Sequence, residues 1–160
     1  MHQLRLGSGV PAALVALAAC AAEHAHDRGG DVHQVRDPAT EPCDATNWRA
    51  LAPDLRECKL GAVGLDGERL RRANLCDASL VGASLARADL FKAALTGAVL
   101  VRANLDGAKL TNARLGGADL TGASLIGAVL TNADLAGAKL DGARTDATTT
   151  CPSGDPGPCW

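Results

Sequence analysis

Residues 88–120, ADLFKAALTGAVLVRANLDGAKLTNARLGGADL, place leucine at every fifth position: Leu90, Leu95, Leu100, Leu105, Leu110, Leu115 and Leu120. An α-helix advances about 100° per residue, so five residues overshoot a turn by about 140°, and leucines at that step spread around the whole cylinder. A straight strand alternates faces with period two, so an odd spacing sends successive leucines to opposite sides. Neither regular element accommodates the spacing, and the repeat itself must specify the backbone.

The phase extends in both directions. Leucine holds every fifth position from Leu55 to Leu140, and alanine stands two residues earlier from Ala73 to Ala143. The residue just before leucine is often Asp or Asn (Asn74, Asp89, Asn104, Asp119, Asp134), and glycine is favoured two residues after it (Gly82, Gly97, Gly107, Gly117, Gly122). A polygon satisfies this pattern. The chain bends after each unit, leucine and alanine point inward, and the other three residues face out. Glycine near the bend relieves the turn. Stacked turns then bury continuous leucine columns with backbones about 4.8 Å apart.

The unit A-(D/N/x)-L-x-G resembles the repeat of the pentapeptide-repeat proteins, over residues 53–147. The resemblance implies an all-β fold: a right-handed quadrilateral parallel β-helix, four units or twenty residues per coil, with about four to five coils and capped ends. Right-handedness agrees with the chirality of parallel crossovers. Twenty residues per coil makes stacked neighbours of Arg69 and Asp89, Asp89 and Lys109, Arg114 and Asp134, and Asp119 and Lys139. All four pairs are opposite in sign, as stacked pairs should be, while Arg72 and Lys92 form a like-charged pair.

The ends differ from the repeat. Residues 1–20 open with a positive MHQLR, continue with an apolar run too short to span a membrane, and finish Leu17-Ala18-Ala19-Cys20. That ending resembles the lipobox of bacterial lipoproteins and implies lipidation of Cys20. A plain secretory signal cut near Ala16-Leu17-Ala18 is the competing reading, and both export the chain. Residues 21–42 have few apolar side chains and read as a disordered tether. His24, His26 and His33 lie there beside Asp27 and Asp31, and they read as solvated linker rather than a metal site.

Six cysteines fit an oxidising compartment. Cys43 and Cys58 bracket an N-terminal cap, residues 43–58, and Cys151 and Cys159 bracket a C-terminal cap within residues 148–160. One disulfide is expected at each end, with Cys76 left as a free thiol; Cys58–Cys76 pairing is the alternative. Trp48 and Trp160, the only tryptophans, lie in these flanking segments and read as lids over the end layers. A stacked coil left uncapped would pair end to end with other molecules.

Catalysis finds no support in the pattern. All four histidines precede residue 34, phosphate-loop and dinucleotide fingerprints are missing, and zinc-type Cys-x-x-Cys spacing is missing. The expectation is a non-enzyme without cofactor, metal or small-molecule substrate. It would be a monomeric interaction module held to the periplasmic face of the outer membrane, with an envelope protein as partner. The alternative implied by the resemblance is a DNA-mimicking gyrase-binding protein of the quinolone-resistance type. Residues 59–147 hold eleven Lys or Arg against nine Asp or Glu, a poor copy of a polyanion, and no nucleic-acid-like role is expected.

Overall fold

The computed structural model describes residues 54–160. Residues 1–53 lie outside the described residues. The signal segment, the tether, Cys20, Cys43, Trp48 and the histidines therefore lie outside them too.

Asp54 pairs with Asn74, Lys59 with Ser79, Gly64 with Ser84 and Arg69 with Asp89, each as a parallel bridge to the residue twenty further on. The register continues without a slip to Ser124 and Arg144. Twenty residues in units of five give four sides, so the coil is quadrilateral. Face 1 carries Leu55, Leu75, Leu95, Leu115 and Leu135; faces 2, 3 and 4 begin at Leu60, Leu65 and Leu70 and repeat at the same interval. The four opposite-charge pairs read from the sequence are all bridge partners. Lys139 reaches Asp119 at 3.5 Å, and Asp89 is also held by Arg71 at 3.2 Å.

The interior is leucine and alanine. Every phased leucine from Leu55 to Leu130 is buried in one cluster with the alanines from Ala73 to Ala133. Alanine lets the wall close around leucine at each corner, and the packed column is the main favourable term in the fold.

Each corner is a hydrogen-bonded turn. The Ala78 amide donates to the Leu75 carbonyl at 3.2 Å, and the residue between them at the corner, Asp77, has φ 58°. The position two after leucine has positive φ in every unit from Glu57 to Gly142. A turn with positive φ at its third residue is of type II, which favours Gly or Asn there. Glycine meets that demand at Gly107 and Gly122, for example, while Arg72, Arg87, Lys92 and Arg102 adopt it against the preference of L-residues.

An accounting of amides explains the recurrent Asp and Asn. In the unit of Leu95, the Leu95 amide donates to Arg114 O, Gly97 to Gly116 O, Ala98 to Leu95 O and Val99 to Ala78 O. The amide just after leucine points outward and has no backbone acceptor in any described unit. A side-chain oxygen before the leucine fills that role. Asp89 Oδ1 accepts from Phe91 N at 3.2 Å, Asn104 from Asp106 at 3.0 Å, Asp119 from Thr121 at 3.1 Å and Asp134 from Ala136 at 3.0 Å. This is the local Asx turn, and it satisfies the one amide that the ladder leaves over.

Face 3 reaches the same end by another route. Where serine precedes leucine, an aspartate from the rung below supplies the oxygen. Asp66 accepts from Ser84 Oγ and the Ala86 amide, and Asp106 accepts from Ser124 Oγ at 2.6 Å and the Ile126 amide at 3.0 Å. Asp106→Ala removes the acceptor of both hydrogen bonds and is expected to lower stability by about 1–2 kcal/mol in urea unfolding. Asp106→Asn keeps an oxygen in place and should retain most of that. Equal losses in the two variants would show that charge, not the acceptor, matters at this position.

The C-terminal end departs from the register. Val129 pairs with Thr150, twenty-one residues on, so one residue is extra. Thr149 takes the inward position that alanine holds elsewhere and is fully buried. Its hydroxyl donates to Leu125 O at 3.0 Å and accepts from Gly127 N at 3.2 Å. The chain then doubles back: Thr150 bridges Pro156 antiparallel, and Cys151 and Cys159 are joined across 5.3 Å between Cα atoms. Gly157 lies so close to this disulfide that a Cβ there would sit 2.9 Å from both sulfurs. The cap covers faces 3 and 4 and leaves Leu135 and Leu140 only partly buried. Trp160 was expected as a lid. Its indole donates to Ala143 O at 3.2 Å, but the residue is 44% exposed, so it is a clasp at the rim.

Candidate interaction surface

Because leucine and alanine take the inward positions, whatever distinguishes one face from another lies in the outward residues. Face 4 and its corner are basic. Arg69, Arg71, Arg72, Lys92 and Lys109 lie at the outward and corner positions there, with Asp89 among them. Phe91 lies at the centre of this ridge, with the Arg71 guanidinium 4.6 Å and the Lys92 ammonium 5.4 Å from its ring centroid. Both contacts are of the cation–π type, and the ring holds two like charges side by side. Arg72 and Lys92 stack at successive corners, both in the left-handed region, which is the like-charge exception noted in the sequence.

Face 2 is apolar in its middle. Val81 and Val101 follow successive leucines of this face, Val99 precedes the second of them and bridges Ser79 and Asp119, and Val81 is 43% exposed. Face 3 carries Ile126 at the same outward position.

Face 1 behaves differently. Asn74, Cys76, Ala94 and Thr96 occupy outward positions, and all four are buried. Higher on the same face Arg114, Asp134 and Ala136 are exposed. Cys76 is disulfide-bonded, which corrects the expectation of a free thiol. Cys58 is disulfide-bonded as well, and no cysteine among the described residues is free. The proposed partner of Cys58, Cys43, lies outside the described residues. Cys58 belongs to the interior core, whereas Cys76 belongs to a separate outward cluster with Ala94. Two cysteines on opposite sides of the wall aim their Cβ atoms apart, which a disulfide between them does not tolerate.

Three carboxylates are displaced from the usual carboxylate range. The Thr121 hydroxyl and then its amide hold Asp119 below the usual carboxylate range, with Lys139 adding to this. Asp146 is lowered chiefly by the Thr148 hydroxyl. Asp77 is raised, by burial first and then by the charge of Glu57 beneath it, and its carboxylate fills the space over Gly97. The signs are opposite. Asp119 and Asp146 stabilise the fold above the unfolded carboxylate pKa, and that contribution is lost as pH falls through their lowered values. Asp77 favours the fold when protonated and disfavours it as pH rises through its raised value. Asp77→Asn is therefore expected to raise the urea midpoint at pH 7 and to leave it unchanged near pH 3. A midpoint that falls at pH 7 would overturn this assignment.

Among the described residues, no group of three or more His, Cys, Asp or Glu is placed to hold a metal ion, and no helix is long and apolar enough to cross a membrane.

The geometry is that of a repeat solenoid with one five-residue side per unit. The chain matches the family described as pentapeptide repeats, in eight copies, over residues 54–90, 69–107, 88–125 and 108–144. It belongs to that family. A pentapeptide repeat protein of the Arabidopsis thaliana thylakoid lumen is similar, with 34% identity and a TM-score of 0.55, over 56% of this chain and 63% of that one. Another from the cyanobacterium Cyanothece 51142 is 38% identical, with a TM-score of 0.32, over 57% and 65% of the two chains. QnrB1, a plasmid-mediated fluoroquinolone resistance protein, is 22% identical with a TM-score of 0.27, over 64% of this chain and 59% of its own. The chain thus spans somewhat less than two thirds of each. No curated protein sequence matches it. Family membership gives the quadrilateral coil its right-handed winding.

Proposed function

We propose that this is an exported, non-catalytic module that presents the rigid faces of its coil to a protein partner in the bacterial cell envelope. One observation carries the reading. The ladder holds outward side chains at fixed spacing while their identities vary freely, and on face 4 they build a basic ridge around Phe91. An enzyme would need converging polar groups in a concavity, whereas these faces are walls. The disulfide at Cys151–Cys159 supports an oxidising compartment. So does the thylakoid-lumen setting of the Arabidopsis relative. The gyrase-binding alternative requires an anionic surface, and the stacked Arg72 and Lys92 oppose it.

The test is affinity capture from the envelope fraction with the wild-type chain and with an Arg71→Glu/Lys92→Glu variant. A partner held by the first and released by the second supports the ridge. A partner held equally by both overturns it.

Two fates of Cys20 follow from export. The Leu-Ala-Ala-Cys ending favours a lipid thioether on its sulfur, with the membrane as a second partner and the outer membrane as the site. The second fate is a plain secretory cut near Ala16-Leu17-Ala18, which adds no lipid. The intact mass of the mature protein decides: a diacylglyceryl addition at Cys20 supports the anchor, and its absence overturns it.

A further inference from the structure

We infer that the open upper edge of faces 1 and 2, residues 133–142, is a docking site for one extended segment of a partner protein, added to the coil as a further rung. In the rung below, Leu115 N donates to Asp134 O at 2.7 Å, Gly117 N to Ala136 O at 2.9 Å, and Leu120 N to Lys139 O and Gly122 N to Asp141 O, each at 2.8 Å. The equivalent donors of the last coil are the amides of Leu135, Gly137, Leu140 and Gly142, and none has an acceptor among the described residues. Two carbonyls of the same edge, Ala133 O and Ala138 O, have no donor among the described residues, although Ala113 O and Ala118 O below them accept from Asp134 N and Lys139 N at 2.9 Å. Beneath this row Leu135 and Leu140 are half-buried, whereas Leu115 and Leu120 of the rung below are fully buried. An edge of unpaired amides over apolar side chains is a template for another strand.

The shape of this end decides what fits. Thr150 pairs with Val129 below it and with Pro156 on its other side, so the folded-back tail stands one layer above the last coil. The tail crosses face 3, where the Cys159 amide donates to Thr145 Oγ1 at 3.1 Å, and ends where the Trp160 indole donates to Ala143 O at 3.2 Å. Ala143 is the face 3 counterpart of Ala133 and Ala138. The tail therefore takes one such carbonyl and stops before the other two. Faces 1 and 2 are left as a step one strand deep, about 4.8 Å, with the exposed Trp160 at its end. A second coil brought end to end meets the tail before it reaches the step. A single extended segment seats beside the tail, at its level.

The rungs below fix the chemistry of the occupant. Inward, each rung sets leucine over leucine, so the segment brings one apolar side chain over Leu135 and another over Leu140, with a small residue at the bend above Gly137. Outward, Asp134 stands over Arg114 and Lys139 over Asp119, the second pair 3.5 Å apart. A Lys or Arg above Asp134 and an Asp or Glu above Lys139 continue both columns with alternating sign. The site is separate from the ridge on face 4 and rests on the reading above only in taking a protein as the partner.

The probe is a blocked peptide with the sequence of residues 113–123, ARLGGADLTGA, which carries that pattern. Added to the isotope-labelled full chain, it should shift the amide resonances of Leu135, Gly137, Leu140 and Gly142 and slow their exchange with solvent. An Arg71→Glu/Lys92→Glu chain should bind it equally, so failure of this edge and failure of the ridge are read apart. A peptide with Glu for its Arg and Lys for its Asp should bind roughly two- to tenfold more weakly. An Asp134→Lys/Lys139→Asp chain should reverse that preference. No shift at these amides with peptide on the order of 1 mM overturns the site. So does slow exchange at them in the free chain, or sedimentation of the free chain as an end-to-end dimer. Equal binding of the two peptides overturns the assigned occupant.

Discussion

Leu105→Ala is expected to lower the unfolding free energy by about 2–5 kcal/mol, the largest loss of any single substitution in the coil. Leu105 is fully buried, with Leu85 and Leu125 one rung to either side in its column. Removing most of its side chain leaves a cavity, and the cost depends on how far the surroundings relax into it. Here they relax little. The Leu105 amide is tied to Ser124 O at 2.7 Å and the Asn104 amide to Ala83 O at 2.9 Å, so the wall carrying the cavity is held to both neighbouring rungs. The upper part of the range follows. Leu140→Ala provides the internal comparison. Leu140 is only partly buried at the open end, and its truncation removes less packing. A thermal midpoint that drops several-fold more for Leu105→Ala than for Leu140→Ala is the expected result. Equal drops would mean that the coil unfolds from its C-terminal end before the interior is tested, as the nearest-neighbour energetics of solenoids allow.

The contrast between these leucines shows what was legible in the sequence. The five-residue phase disclosed inward Leu and Ala and the corner glycines, since each follows from repeating one geometry, whereas the pairing at twenty residues was implied by the resemblance to the pentapeptide-repeat proteins. Cys76 faces outward by its place in the repeat, but its bonded state is not a property of the repeat. No local pattern reports that. The repeated Asp and Asn are legible in the sequence only as outward-facing positions. Their acceptor role follows only from counting the amides that the ladder leaves over, and on face 3 the acceptor comes from Asp66 or Asp106 of another rung. Arg72, Lys92 and Arg102 at left-handed corners were also invisible. The intrinsic preference for glycine costs little enough that the surrounding ladder overrides it. The single extra residue that places Thr149 inside breaks the phase just where leucine stops, so the pattern gave no warning of it.

That same break makes the C-terminal cap the second place where a large effect is expected. Cys159→Ser opens a short loop whose closure constrains the unfolded chain by roughly 2.5–3 kcal/mol. The native-state consequence reaches further. Cys151 N donates to Asp155 O at 2.7 Å and Gly157 N to Thr149 O at 2.7 Å, so the folded-back segment is what holds Thr149 in the alanine position. With the bond gone, Gly157 has no disulfide to pack against and the Thr150–Pro156 pairing loses its brace. The Leu130 amide, bonded to Thr150 O at 2.8 Å, then lies at an open edge beside the half-covered Leu135 and Leu140. Unpaired edges of parallel coil over apolar side chains pair with one another. The variant is therefore expected to unfold at lower temperature and to self-associate with rising concentration in sedimentation velocity. Gly157→Ala, which crowds both sulfurs, should show a weaker form of the same behaviour with all cysteines present. A Cys159→Ser protein that stays monomeric and as heat-stable as the parent would show that the hydroxyl of Thr149, bonded to Leu125 O, closes the coil without the disulfide.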